Sequence, residues 1–201
     1  DLKTESENGQ IKLSTANKTQ ITGISAGAGI SSQFAGAAAV VVNKNNSSSK
    51  AVINSDNKNL IETSNLYIKA EDNSKIDSLA SQLAFASKAA LGGAVIYNDF
   101  NSGSKDNNTA SVESSLNGVE LKTDNSSINS QQNGKIRGLA ASGAASTAVA
   151  LTASVIYSDI YTDSKAGIKN IYSYNEGNNI TVNAEDNLDL QMISGSGTAG
   201  S

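Results

Sequence analysis

Apolar and polar positions alternate along this chain with a period of two, and the alternation recurs at long intervals. Four apolar-x-apolar segments run into polar turns: Ile11-Lys12-Leu13, Leu66-Tyr67-Ile68, Val119-Glu120-Leu121 and Ile180-Thr181-Val182. Each leads to two apolar residues three apart: Ile21 and Ile24, Ile76 and Leu79, Ile136 and Leu139, Leu190 and Ile193. A small-residue tract then reaches Val40-Val41-Val42-Asn43, Val95-Ile96-Tyr97-Asn98 or Val155-Ile156-Tyr157-Ser158. The first two units are offset by 55 residues at all three anchors, and the third is read with a loop insertion around residues 130–134.

The tracts between the anchors decide the element type. Leu79, Leu83, Phe85, Leu91, Val95 and Tyr97 fall on one face, and Ala80, Gln82, Ala84, Ala90, Ala94 and Ile96 on the other. The first unit repeats this with Ile24, Ile30, Phe34, Val40 and Val42, and the third with Leu139, Val149, Leu151, Val155 and Tyr157. Alternation held across three repeats predicts strands. The spacing of Leu79, Leu83 and Leu91 also fits a helix, but the glycines and β-branched ends favour strand.

One continuous strand of such length would reach about 60 Å, far beyond usual strands. The tract is therefore expected to bend at Gly27, Gly29, Gly92, Gly93 and Gly143. The expectation is an all-β solenoid with about three coils per 55–60-residue repeat, about ten coils in all, forming a rod about 50 Å long. The chain is read as a single continuous solenoid fragment over 1–201, with units at 8–63, 64–117, 118–177 and 178–201. The last unit is expected to be cut short; its Ser-Gly-Ser-Gly run takes the position of residues 80–84 rather than forming a linker. Asn-rich stretches at 43–46, 57–59, 107–108 and 178–179 are read as turns, because Asn tolerates left-handed backbone. Stacked Asn or Ser side chains are expected to form ladders between coils.

Composition narrows this further. The chain lacks Cys, Pro, His and Trp, and aromatic residues make up 4% of it. Without large side chains it must bury small ones in thin layers. The absence of Cys and His removes disulfides, thiol chemistry and His-based triads. A net charge of −4, with Lys44, Lys50, Lys58, Lys69 and Lys75 set among acids, supplies no basic stripe for nucleic acid.

The unit of strand, Ala-Glu-Asp-Asn, Ile-x-x-Leu, small-residue tract and Val-Ile-Tyr-Asn resembles the repeats of the fusobacterial leukotoxin family and related filamentous-haemagglutinin-like adhesins. The resemblance implies a right-handed parallel β-helix, secreted by a type V route and displayed on or released from a Gram-negative surface. It also implies a structural and adhesive role toward a host-cell surface protein or glycan, alongside neighbouring repeats of the parent chain. The alternative it implies is a membrane-active cytolysin segment.

Candidate chemistry is sparse. Glu71-Asp72 and Glu185-Asp186 recur at equivalent positions, and Asp99, Asp159 and Asp163 follow the third anchor. A carboxylate pair can hydrolyse glycosides, but recurrence is the mark of turn residues, so a polysaccharide-active enzyme is the weakest reading. No calcium nonapeptide occurs, and no metal or cofactor is expected. Residues 138–157 carry no charge and are long enough for a membrane span, yet their counterparts contain Lys88, Gln82 and Gln33. They are therefore read as solenoid strands. Sequon matches at Asn17, Asn46, Asn107, Asn125 and Asn179 are what an Asn/Ser-rich chain yields by chance. The expected contact surface is Tyr161, Tyr172 and Tyr174, beside an irregular part of the third unit.

Overall fold

The computed structural model describes residues 9–101, 103–104, 109–110, 112–173 and 179–200. They form fifteen strands and, among the described residues, no helix. The first layer comprises β1 (Gln10–Ser31), β2 (Phe34–Asn45), β3 (Ser49–Asn54) and β4 (Leu60–Glu62). The second comprises β5 (Asn65–Ala86), β6 (Ala89–Asn101), a small hairpin of β7 (Gly103–Ser104) and β8 (Thr109–Ala110), β9 (Val112–Asn117) and β10 (Glu120–Lys122). The third comprises β11 (Asn125–Ser146), β12 (Val149–Tyr161), β13 (Ser164–Lys169) and β14 (Tyr172–Ser173), and β15 (Asn179–Gly200) begins a fourth.

Equivalent strands pair in parallel, layer upon layer. One sheet has the order β1-β5-β11-β15; the others are β12-β6-β2, β13-β9-β3 and β14-β10-β4. The register keeps the motifs in columns: Ile21, Ile76, Ile136 and Leu190 align, as do Ile24, Leu79, Leu139 and Ile193. The columns at Val40, Val95 and Val155 also hold. Residues 194–197 pair along residues 140–143, which pair along 80–83, so the Ser-Gly run belongs to the repeat.

Three expectations are corrected. First, each repeat is one layer rather than about three coils, because Gln10 pairs directly with Asn65 and Asn65 with Asn125. There are three layers and the opening strand of a fourth, not about ten coils. The long tract does not bend at its glycines. β1, β5 and β11 each continue unbroken for 22 residues, about 70 Å, and end at Ser32-Gln33, Ser87-Lys88 and Thr147-Ala148.

Gly27 and Gly29 serve the interior instead. A Cβ on Gly27 would lie 2.5 Å from the carbonyl oxygen of Ala38 in β2, and Gly29 faces Gly36 just as closely. Near the turn the two sheets lie too close for a side chain there.

Second, the third unit has no insertion at 130–134: β11 pairs with β5 without interruption from Asn125 to Ala145. Val119-Glu120-Leu121 is not the start of that long strand. Glu120 and Leu121 pair with Leu60 and Ile61 in a short separate sheet. The extra residues fall between β6 and β9, since Asn45 pairs with Phe100 but Ser49 with Val112.

Third, residues 43–45 are not a turn. They end β2, with Asn43 and Asn45 buried. The loop at 57–59 is a turn as expected, with Lys58 at φ 52°. Residues 107–108 and 178 lie outside the described residues, and Asn179 opens the strand β15 rather than forming a turn.

The long sheet packs across β2, β6 and β12 at one end and β3, β9 and β13 at the other. The interior is wedge-shaped. Away from the turn it holds Leu66, Ile68, Val112, Leu116, Leu121 and Ile128, followed by Ile76, Phe100 and Ile136. Toward the turn only Ala35, Ala84, Ala90 and Ala144 remain. Thin layers of small residues are thus present, at the narrow end of the wedge.

Candidate functional site

The face that meets solvent carries the unusual chemistry. In a half-buried strand the larger apolar side chains ordinarily point inward. Near the turn this chain does the reverse. Ala80, Gln82 and Ala84 are buried, while Leu79, Leu83 and Phe85 between them are 36%, 51% and 45% exposed. On the opposite sheet Ala90, Ala94 and Ile96 are buried, and Leu91 and Val95 point out. The same inversion recurs in β1 and β2 through Ile24, Ile30, Phe34, Val40 and Val42, and in the third layer through Leu139, Val149, Leu151 and Val155.

Parallel in-register stacking turns these positions into apolar rows on both outer faces, meeting around the reversal. Their combined exposed area is on the order of 1,000 Å², well above the few hundred Å² usual for a soluble monomer's largest patch. Left in water, that surface forgoes on the order of 20 kcal/mol of burial.

Both faces end in a charged border. On the long sheet, Arg137 donates to Asp77 at 2.6 Å, Lys75 meets Asp77 at 2.6 Å and Lys135 meets Asp189 at 2.6 Å. The Arg137 guanidinium holds the Asp77 carboxyl below the usual aspartate range, and Lys135 does the same for Asp189. On the other sheet the border is Lys44 with Asp99 at 3.3 Å, and Asp159 pairs in register beside Asp99. Just inside that border the rings of Tyr97 and Tyr157 stack with centroids 5.5 Å apart. Along the long-sheet border runs a shallow groove of about 380 Å³, lined by Asp77, Arg137, Leu79, Leu139 and Ile193 among others.

At and below the border, polar side chains interrupt the apolar interior. Asp72 is fully buried and accepts hydrogen bonds from Ser47 at 2.5 Å, Ser74 at 2.6 Å and Asn17 at 3.4 Å. Asn43 donates to Asn98 at 3.0 Å and to Ser78 at 2.8 Å. Outside, Asn ladders run through Asn65, Asn125 and Asn179, and through Asn73, Asn133 and Asn187. The expected ladders are therefore present, within the sheet and on its surface.

The sequence candidates separate in space. Glu71 points outward to Lys69 at 2.6 Å, whereas its neighbour Asp72 points inward, so the recurring acids do not converge. Asp163 pairs with Lys165 at 2.9 Å beyond the end of β12, apart from the Asp99–Asp159 column. Among the described residues no cluster of His, Cys, Asp and Glu side chains is arranged to hold a metal ion, and no helix is long and apolar enough to cross a membrane. Residues 138–157 are the end of β11, a turn and most of β12, as the comparison of repeats predicts.

Tyr161 ends β12, half-buried, while Tyr172 lies in the separate β4-β10-β14 sheet with Lys58 Nζ 4.1 Å above its ring. Tyr174 lies outside the described residues. The apolar rows were visible in the sequence as one face of each tract. What was missing was the sign, in or out, which only the facing sheet supplies.

No family model, curated protein or solved structure matches this chain. Nothing in these comparisons identifies a leukotoxin or haemagglutinin-like adhesin family.

Proposed function

We propose that this chain is a structural, adhesive segment of an extracellular bacterial protein, a right-handed parallel β-helix with one turn per repeat. Its turn margin presents apolar rows for attachment to a host-cell surface. Secretion by a type V route, and a place on or near a Gram-negative surface, belong to the same reading through the repeat resemblance. The observation that carries it is the inversion at the margin: mostly small residues inside, large apolar ones outside, repeated in the first three layers. Such a surface costs solubility and finds a use only when something covers it. The ion-paired remainder of the outer surface, in which Lys44, Lys50, Lys69 and Lys75 each meet an acid, acts as a solvated scaffold.

The test is binding of the fluorescently labelled chain to cultured host cells, alongside a double variant with Leu83→Asp and Leu91→Asp, one change on each face. More than tenfold weaker binding with an unchanged far-ultraviolet circular dichroism spectrum is expected. Binding equal to the unaltered chain sinks the proposal.

A further inference from the structure

We infer that the partner of the turn margin is the hydrocarbon core of a lipid bilayer, which the margin crosses so that the reversals emerge on the far side. This rests on reading the margin as a contact surface and names what it contacts.

The dimensions support it. On the long sheet the uncharged stretch between Asp77 and the Ser87-Lys88 turn spans residues 78–86, about 30 Å at ~3.3 Å per residue. On the return sheet it spans residues 89–98, up to Asp99, again about 33 Å. Both match a hydrocarbon core of about 30 Å, and both have the residue count of a membrane-crossing strand. The band has a polar cap at each end. The reversal carries Ser32, Gln33, Ser87, Lys88 and Thr147, and the opposite border carries the Asp77–Arg137 and Lys44–Asp99 pairs. Tyr97 and Tyr157 sit at that border, where aromatic rings favour the headgroup level.

Occupancy of both faces at once separates a bilayer from a second copy. Area alone does not divide the two, since the large side chains of one face expose roughly 700 Å², near the ~800 Å² per partner of a standard interface. A copy seated on one face leaves the other open, whereas lipid surrounds both. Inside the band the strands hydrogen-bond to neighbouring layers, so most backbone groups need no water. The edges at β1 and β15 of the long sheet and at β2 and β12 of the return sheet are the exception within one copy. Insertion therefore favours copies stacked edge to edge, and it rises more steeply than linearly with the protein-to-lipid ratio.

Because the natural chain has neither Trp nor Cys, single reporters are unambiguous. Leu83→Trp is added to phosphatidylcholine vesicles. A blue shift, with severalfold quenching by acyl-brominated lipid, places the band in the hydrocarbon. Gln33→Cys at the reversal and Asn57→Cys at the opposite end are then probed with a membrane-impermeant maleimide, outside the vesicles or sealed within them. The expected result is at least tenfold preference for the inside reagent at position 33 and for the outside reagent at position 57. Outside labelling of both positions, with the Trp shift intact, overturns crossing. An unshifted Trp in a chain that still binds cells overturns the bilayer but leaves the contact surface standing. A blue shift at the same concentration without vesicles shows copies covering the band, and overturns the inference as well.

Discussion

Asn43 and Asn98 occupy one column in adjacent layers, and the Nδ2 of Asn43 donates to the Oδ1 of Asn98 across 3.0 Å in the interior. Ser78 donates to the same oxygen at 2.8 Å, and Asn98 reaches on to Ser158 at 3.4 Å. A buried amide thus links three layers. Asn98→Leu strands the donors on Asn43 and Ser78, and a loss of about 2–4 kcal/mol is expected from urea unfolding. Asn54→Ala, in the exposed ladder to Asn117, is expected to cost under about 0.5 kcal/mol by the same measurement. Equal losses at both sites would contradict this assignment.

Asp72 is held by two hydroxyls and one amide within the wedge. Replacing it with Ala removes the shared acceptor and leaves a hole, so a drop of about 3 kcal/mol is expected. Asp72→Asn keeps an acceptor oxygen and is expected to lose about half as much. The ordering Ala worse than Asn, read by thermal unfolding, is the check.

The close approach at Gly27 gives a steric prediction. Gly27→Val pushes a side chain onto the Ala38 carbonyl and separates the sheets, for an expected loss of about 2–3 kcal/mol. Gly36→Ala meets nothing within 4 Å and is expected to leave the unfolding midpoint nearly unchanged.

Acid should weaken the charged border. Asp77 and Asp189 are held below the usual aspartate value of 3.8 by Arg137 and Lys135 respectively. A carboxyl depressed on folding stabilises above its unfolded value and loses that contribution as pH falls through the folded one. Stability is therefore expected to hold down to about pH 4 and to fall below it, modestly because these pairs face solvent. Asp77→Asn should flatten part of that fall; an identical profile would remove Asp77 from the explanation.

β15 has a partner on one side only, and its inward row is uncovered, with Ile180, Val182 and Leu190 at 47%, 45% and 48% exposure. Concentration-dependent light scattering is expected from this edge, and Val182→Pro should reduce it by removing a ladder donor. Scattering that ignores both concentration and the substitution would show the edge covering itself.

The columns of the fold were legible because Ile21 and Ile24 recur as a pair with a fixed step, and a parallel register must keep such pairs aligned. Layer count was not. A strand of 22 residues departs so far from ordinary length that glycines looked like corners, while the real reversals at Ser87-Lys88 and Thr147-Ala148 carry no glycine. The Val119 segment misled for a related reason: apolar alternation does not tell a short edge sheet from a long one. The candidate site was half legible. Alternation separated Leu83 from Ala84, but ordinary burial would place Leu83 inside, whereas the register buries Gln82 and Ala84 and turns Leu83 outward. The tyrosines at 161 and 172 were grouped by proximity in sequence, and the fold assigns them to different sheets.

The repeat spacings are unequal, with contacts between successive layers at 55, 60 and 54 residues, yet the long strands never slip. Length changes are taken up in the loops between strands. Inheritance of such a gene is then forgiving. A duplication or deletion of one unit adds or removes a storey, about 4.8 Å in height, without re-aiming any residue above or below it. The extent of the array can thus drift over generations while the chemistry of each storey is retained.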